Sequence, residues 1–131
     1  MAVIVDTDVA SYLLKGDSRA ELYRPYLFGL PKIVSFMTLA ELRRWEKQNN
    51  WGAKRIKQAR EFLDDFSVVY PDEKLCEIWA QIKSDAHRKG RPIGTADAWV
   101  AAVALMFDVS LVTHNRKHFV NVKNLKIISE A

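Results

Sequence analysis

A single cysteine, Cys76, stands in a chain of 131 residues. That excludes an internal disulfide and a thiolate zinc cluster. No apolar run reaches the roughly 18 residues that a membrane span needs. The N-terminus lacks the basic region and long apolar core of a signal peptide. A reducing cytoplasm, with no membrane partner, is the expected setting. Repeats, low-complexity tracts and linkers are missing too, so residues 1–131 are expected to form one domain with its own core. A strong overall charge is also absent, the net value being +4. The basic residues are nonetheless unevenly placed. Residues 43–60 hold Arg43, Arg44, Lys47, Lys54, Arg55, Lys57 and Arg60 against Glu46, which allows a polyanionic partner. Cys76 falls in an amphipathic stretch and is expected to pack rather than react.

What is present is an alternation of apolar strands and helical patterns. Strands are expected at residues 2–6, 32–35, 67–70, 110–113 and 125–128. Helices are expected at 8–15, with Gly16 ending the first, and at 19–28, 38–49, 52–65, 72–89 and 95–107. The helix at 72–89 places Leu75, Ile78, Trp79 and Ile82 on one face. The helix at 95–107 is apolar nearly all round, so it is expected to be buried on most sides, with Trp99 in the core. Trp45 and Trp51 flank a basic turn and mark a candidate dimer or partner surface. This order implies an α/β fold, with a central parallel sheet of about five strands covered by helices on both faces.

Three acids recur at strand-to-helix junctions. They are Asp6 in Val5-Asp6-Thr7-Asp8, Glu41 in Ser35-Phe36-Met37-Thr38-Leu39-Ala40-Glu41, and Asp97 in Gly94-Thr95-Ala96-Asp97. Strand carboxyl ends gather along one sheet edge, where ligands bind in such folds. Three carboxylates there would make a hard oxygen cage for Mg²⁺ or Mn²⁺. Each acid also has a local explanation. Asp6 would cap a helix, Thr38 and Glu41 match a capping box, and Asp97 suits the macrodipole of its first turn. Gathered together, like charges would raise their own pKa values, and a divalent cation would offset that repulsion. Such an ion can activate water against a phosphodiester. Thr113-His114-Asn115-Arg116-Lys117-His118-Phe119 brings polar groups to the same edge. Thr113 and Asn115 are candidate partners of a carboxylate or a bound water, and His118 is a candidate ligand, proton carrier or phosphate contact. His114 is expected in a surface loop. Thr7 and Asp8 are candidate supporting residues. Arg88, Lys89, Arg91 and Arg116 are candidate phosphate contacts.

At these residues the chain resembles the PIN domain, and within it the VapC-type toxins of bacterial toxin–antitoxin pairs. The resemblance covers nearly the whole chain and rests on four segments in order: Val5-Asp6-Thr7, residues 35–42 with Glu41, residues 90–97 with Asp97 followed by Val100-Ala101-Ala102, and residues 111–115 with Phe119. It implies a three-layer sandwich and a Mg²⁺- or Mn²⁺-dependent endoribonuclease. Asp6, Glu41 and Asp97 would hold the metal, and Asn115 would orient water or metal. It further implies a homodimer, an RNA substrate (tRNA, rRNA or mRNA) and a VapB-like antitoxin whose C-terminal segment crosses the active-site groove. Many members carry a fourth acid just before the Phe, where this chain has His118. Two rivals stand beside this reading. One is a PIN-like protein that binds RNA or an antitoxin without cutting. The other is a haloacid-dehalogenase-like phosphatase, since Val5-Asp6-Thr7-Asp8-Val9 imitates that signature without its catalytic Lys or its later acidic pair.

Overall fold

The computed structural model describes residues 1–131. Five parallel strands, β1 (Val3–Val5), β2 (Lys32–Ser35), β3 (Phe66–Val69), β4 (Ser110–Val112) and β5 (Ile127–Ile128), form one sheet in the order β3-β2-β1-β4-β5. The chain therefore builds outward from β1 through β2 to β3, then crosses back and builds the other way from β4. Strands β1 and β4 lie side by side in the register Val5↔Val112. This is the topological switch point, where connections leave in opposite directions and open a crevice at the carboxyl ends.

Alternation along the strands splits the core. Val3 and Val5 of β1, Val34 of β2 and Val112 of β4 point toward Val9, Tyr23, Leu42 and Leu63. These come from α1 (Thr7–Lys15), α2 (Ala20–Leu27), α3 (Phe36–Gln48) and α4 (Ala53–Leu63). Ile4 and Leu111 point the other way, to Leu75, Ile82 and the run Val100–Ala104. That layer is built by α5 (Glu73–Arg88), α6 (Thr95–Phe107) and the one-turn α7 (Arg116–Phe119), whose Phe119 is fully buried. Strands buried on both faces read as continuous apolar runs, which is how they stand in the sequence. The three-layer sandwich matches expectation.

Local chemistry explains the ends of the elements. Gly16 closes α1 in the left-handed region, at φ 67°, with its N–H donating to Tyr12 O; a Cβ would disfavour that conformation. Helix α3 begins earlier than its capping-box pattern implies. Its N-cap is Ser35, whose Oγ accepts from Met37 N at 3.1 Å, so Thr38 and Glu41 lie inside the helix. Ser35 is also the last residue paired with β3, and strand end and helix start thus share one residue. Two further expectations are corrected. Cys76 is exposed. It follows Leu75, which is buried, and a helix turns about 100° per residue, which carries the thiol off the apolar face. Trp99 is half-buried, stacked on Trp79 at 5.0 Å and edge-on to Phe36 at 5.3 Å. Trp45 and Trp51 lie under cations, with Lys15 Nζ 5.1 Å and the Arg55 guanidinium 4.4 Å from the respective ring centroids.

Candidate active site

At the carboxyl end of β1 the chain turns directly into α1. Asp6 is the residue at the turn, 6% exposed. Its Oδ1 accepts the N–H of Thr7 at 2.8 Å, which makes it the N-cap. Its Oδ2 accepts the Thr113 hydroxyl at 2.7 Å, across the switch point from β4. Thr113 Oγ1 in turn accepts Asn115 N at 3.0 Å, which folds the loop after β4 over the strand end. Local capping and long-range pairing therefore act on the same carboxylate.

Asp8, one turn-start further on, is bound to the same loop. Its Oδ2 accepts from His114 N and from Asn115 Nδ2, both at 3.1 Å, and its Oδ1 accepts from Val9 N. Asp8 thus takes a backbone N–H at the start of α1 and also ties that helix to the β4–α7 loop. The amide nitrogen of Asn115 is committed to Asp8. His114 is also more than a surface residue. Its Nδ1 lies 2.5 Å from the hydroxyl of the buried Tyr23, and both Tyr12 and Tyr23 meet its ring edge-on. The Tyr23 oxygen also accepts from Glu130 N, so one hydroxyl joins the loop after β4 to the C-terminal end of the chain.

Glu41 reaches the site from α3. Its Oε1 accepts the Thr7 hydroxyl at 2.9 Å, and Thr7 Oγ1 lies 2.8 Å from Thr38 Oγ1. A hydroxyl has one proton, so Thr38 donates to Thr7 and Thr7 donates to Glu41. The two threonines form a short relay that the capping-box pattern concealed. Asp97 comes from the first turn of α6, with Oδ2 3.1 Å from His118 Nδ1. The loop before it is fixed by Lys83 Nζ on Ile93 O (2.6 Å) and Trp79 Nε1 on Thr95 O (3.3 Å).

Electrostatics set these acids apart from ordinary helix caps. Burial, then the charge of Asp8, push the Asp6 carboxyl up to about 7; the Thr113 and Thr7 hydrogen bonds hold it down, and Asp97 adds a smaller upward push. Burial also raises Asp8, against the N–H groups of Val9 and His114 that favour its charged form. A cluster that resists its own ionisation is costly unless something positive completes it.

A divalent ion would need several of these oxygens within reach at once. No three His, Cys, Asp or Glu side chains stand close enough together to enclose one, so the expected three-carboxylate cage is not formed in this arrangement. The reason is visible in the partners: Thr7 holds Glu41 toward α1, and His118 holds Asp97 toward α7. Mg²⁺ usually keeps several waters and takes one or two carboxylates. The donor set fits that hydrated mode, with Asp6 fixed in place and Asp97 near enough to act on its charge.

A groove of about 910 Å³ leads away from Asp97 and His118 between α5, the loop before α6 and the chain after α7. Lys89 and Arg91 line it; Arg88 and Arg116 do not. Arg88 is instead paired with Asp85 on its own helix, and Arg91 donates to Asn121.

Comparison with known proteins places these observations. The PIN domain family matches residues 3–125. Ribonuclease VapC1 of Haemophilus influenzae (strain R2866) is 30% identical over 128 residues, 96% of either chain. The tRNA(fMet)-specific endonuclease VapC of Shigella flexneri is 24% identical over 123 residues, 94% of this chain and 93% of that one. Among solved structures, VapBC-1 from nontypeable Haemophilus influenzae has a TM-score of 0.84 at 29% identity, covering 98% of both chains. VapBC2 from Rickettsia felis, bound to a DNA fragment from its promoter, has a TM-score of 0.85 at 21% identity and 98% coverage of both, which speaks to fold.

Proposed function

The chain belongs to the PIN domain family, and from that premise we propose that it is an endoribonuclease toxin of the VapC type, dependent on Mg²⁺ or Mn²⁺. The relatives named as ribonucleases support the activity. The solved VapBC complexes support a VapB-like antitoxin as its partner, and a homodimer in the cytoplasm accompanies that reading. The phosphatase alternative falls with the family match. The observation that carries the chemistry is Asp6. It is a buried carboxylate at the switch point, bonded on both oxygens yet pushed up to about 7 by burial and by the neighbouring acids. Folding gains little from such a group, so its placement points to function.

Asp6 and Asp97 would hold the ion, with Glu41, bonded to Thr7 at the start of α1, as a further carboxylate. A divalent cation supplies an activated water and neutralises charge developing on the phosphodiester. The protein's own contribution is orientation. Thr113 and the Thr7 N–H fix Asp6, Asn115 and the His114 N–H fix Asp8, the Thr38–Thr7 relay fixes Glu41, and His118 fixes Asp97. Asn115 thus acts through Asp8. The contact between His118 and Asp97 favours a second reading, in which an imidazole occupies the place of the ion and the protein binds without cutting.

One experiment separates them. Antitoxin-free protein is incubated with total RNA and a tRNA panel in Mg²⁺ or Mn²⁺, beside chelated protein and Asp97→Asn. Discrete fragments that vanish with chelator, and fall by roughly 10²-fold or more in Asp97→Asn, are expected. Equal cutting by the mutant would mean the assigned site is wrong. No cutting and no metal binding would favour the binding-only protein.

A further inference from the structure

Helix α6 carries Asp97 in its first turn, yet it starts without a side-chain cap. Asp6, Ser35 and Asp72 cap α1, α3 and α5, whereas the N-cap of α6 is Gly94. The chain leading into it is also short of backbone bonds. From Arg91 to Gly94 there are only two: Arg91 N donates to Ala86 O, and Gly94 O accepts from Ala98 N. The placing of this loop matters, because Asp97 folds back over it. A Cβ on Gly94 would stand 3.8 Å from Asp97 Oδ2. What holds the loop comes from α5. Trp79 and Lys83 lie four residues apart on one face of that helix. They donate to the carbonyls on either side of Gly94, Trp79 Nε1 to Thr95 O at 3.3 Å and Lys83 Nζ to Ile93 O at 2.6 Å. Trp79 also stacks on Trp99 of α6. Lys83 is half-buried and forms no ion pair. Nor does it line the groove beside Asp97. A half-buried ammonium held by one neutral carbonyl gains little for folding, so its placement calls for another explanation.

We propose that Lys83 and Trp79 are positioning residues: they clamp the loop at Ile93–Thr95 and so fix the first turn of α6, and with it the carboxylate of Asp97. The effect on catalysis rests on the nuclease reading; the effect on the turn rests on geometry alone. Asp97 has one side-chain partner, His118, on one of its oxygens. That contact leaves the carboxylate to follow the backbone beneath it. Holding the carbonyls on both sides of the N-cap removes that freedom. A cationic donor suits the task, since charge-assisted hydrogen bonds are roughly twice as strong as neutral ones. The stake is large, because a misplacement of about 1 Å at a reacting group can cost on the order of 10²-fold in rate. Lys83 acts through the backbone and needs no contact with RNA.

Three variants of the full chain provide the test. Lys83→Met keeps the apolar stem and loses the ammonium, Lys83→Arg keeps a cationic donor, and Trp79→Phe keeps a ring and loses the N–H. Amide hydrogen exchange is measured on metal-free protein at Ala98, whose N–H bonds to Gly94 O, and at Val103, deeper in α6. Steady-state tRNA cleavage in Mn²⁺ is resolved into kcat and KM. Lys83→Met should lose about tenfold of the protection at Ala98 and none at Val103. Its kcat should fall by roughly tenfold or more with KM unchanged, the pattern of a lost transition-state alignment. Trp79→Phe should show both effects in smaller measure, and Lys83→Arg should restore both. Equal losses at Ala98 and Val103 would make the lysine a general stabiliser and overturn the proposal. A raised KM with kcat unchanged would mark a phosphate contact and overturn it too. Unchanged exchange, or an unchanged kcat in protein that cuts, has the same consequence. If Lys83→Met does not fold, Trp79→Phe decides on the same criteria. Wild-type protein that cuts no RNA, while Ala98 loosens in Lys83→Met, removes the nuclease reading alone and leaves the clamp in place.

Discussion

Thr113 does two things with one hydroxyl: it donates to Asp6 Oδ2 and accepts Asn115 N. Its proton stabilises the ionised form of Asp6, opposing burial and the charge of Asp8. In Thr113→Val that proton is lost at nearly constant volume. The Asp6 carboxyl should then rise further above its usual range, because a hydrogen bond to the charged form has been removed. We expect roughly 10–100-fold weaker Mn²⁺ binding, and an acidic limb of the cleavage profile displaced to higher pH. Thr113→Ser should restore both. Mn²⁺ titration and pH–rate profiles of the three proteins provide the check, and an unmoved acidic limb in Thr113→Val would show that Asp6 is not the group being titrated. This role was only half visible beforehand. The sequence placed Thr113 and Asp6 at one sheet edge, but their partnership needs β1 beside β4, a pairing between residues more than a hundred positions apart.

At the scale of elements, the sheet edge is organised by strand-to-helix turns, and those after β1, β2 and β3 are each governed by a side-chain cap. Ser35 caps α3 and Asp72 caps α5, with Oδ1 accepting from Leu75 N at 2.8 Å. Ser35→Ala should cost about 1 kcal/mol, read as a lower urea midpoint with unchanged slope. Thr38→Val should cost less stability, yet lower activity more, since it cuts the relay to Glu41. The opposite ranking in stability would restore Thr38 as the cap. The capping-box pattern in the sequence pointed to Thr38, three residues beyond the actual cap. The strand decided, because pairing with β3 runs as far as Ser35 and ends there. Helix α6 posed no such choice. Its apolar run is bounded by Gly94 and Asp108, and its observed limits, Thr95–Phe107, are the ones its pattern predicts. The one-turn α7 went unread, since four residues are too few to show a helical period.

For the molecule as a whole, the acids are a stability cost that depends on pH. The folded-state value of Asp6, about 7, lies above that of an unfolded Asp, roughly 3.9. Between those values the folded chain holds a proton that the unfolded chain has released, so stability falls as pH rises through the window and levels off above it. Asp17, held down to about 2 by Arg19, acts in the opposite sense at lower pH. The contribution of Asp6 is therefore best isolated as the difference in stability between metal-free wild type and Asp6→Asn. It should decline from about pH 4 to pH 7 and flatten beyond. Added Mg²⁺ should stabilise the wild type at neutral pH, and much less near pH 4. A difference that is flat across the window would mean that Asp6 ionises as an ordinary carboxylate. What the sequence determined by itself was the alternation of strands and helices, the layers that follow from it, and which acids stand at strand ends. Those properties depend on residues near one another in the chain, through periodicity and turn chemistry. Only the tertiary structure decided that Asp8 ties α1 to the β4–α7 loop, that Glu41 answers to Thr7 and Asp97 to His118, and that Cys76 faces outward. Those outcomes depend on strand order and helix rotation, which bring together side chains that no local pattern relates.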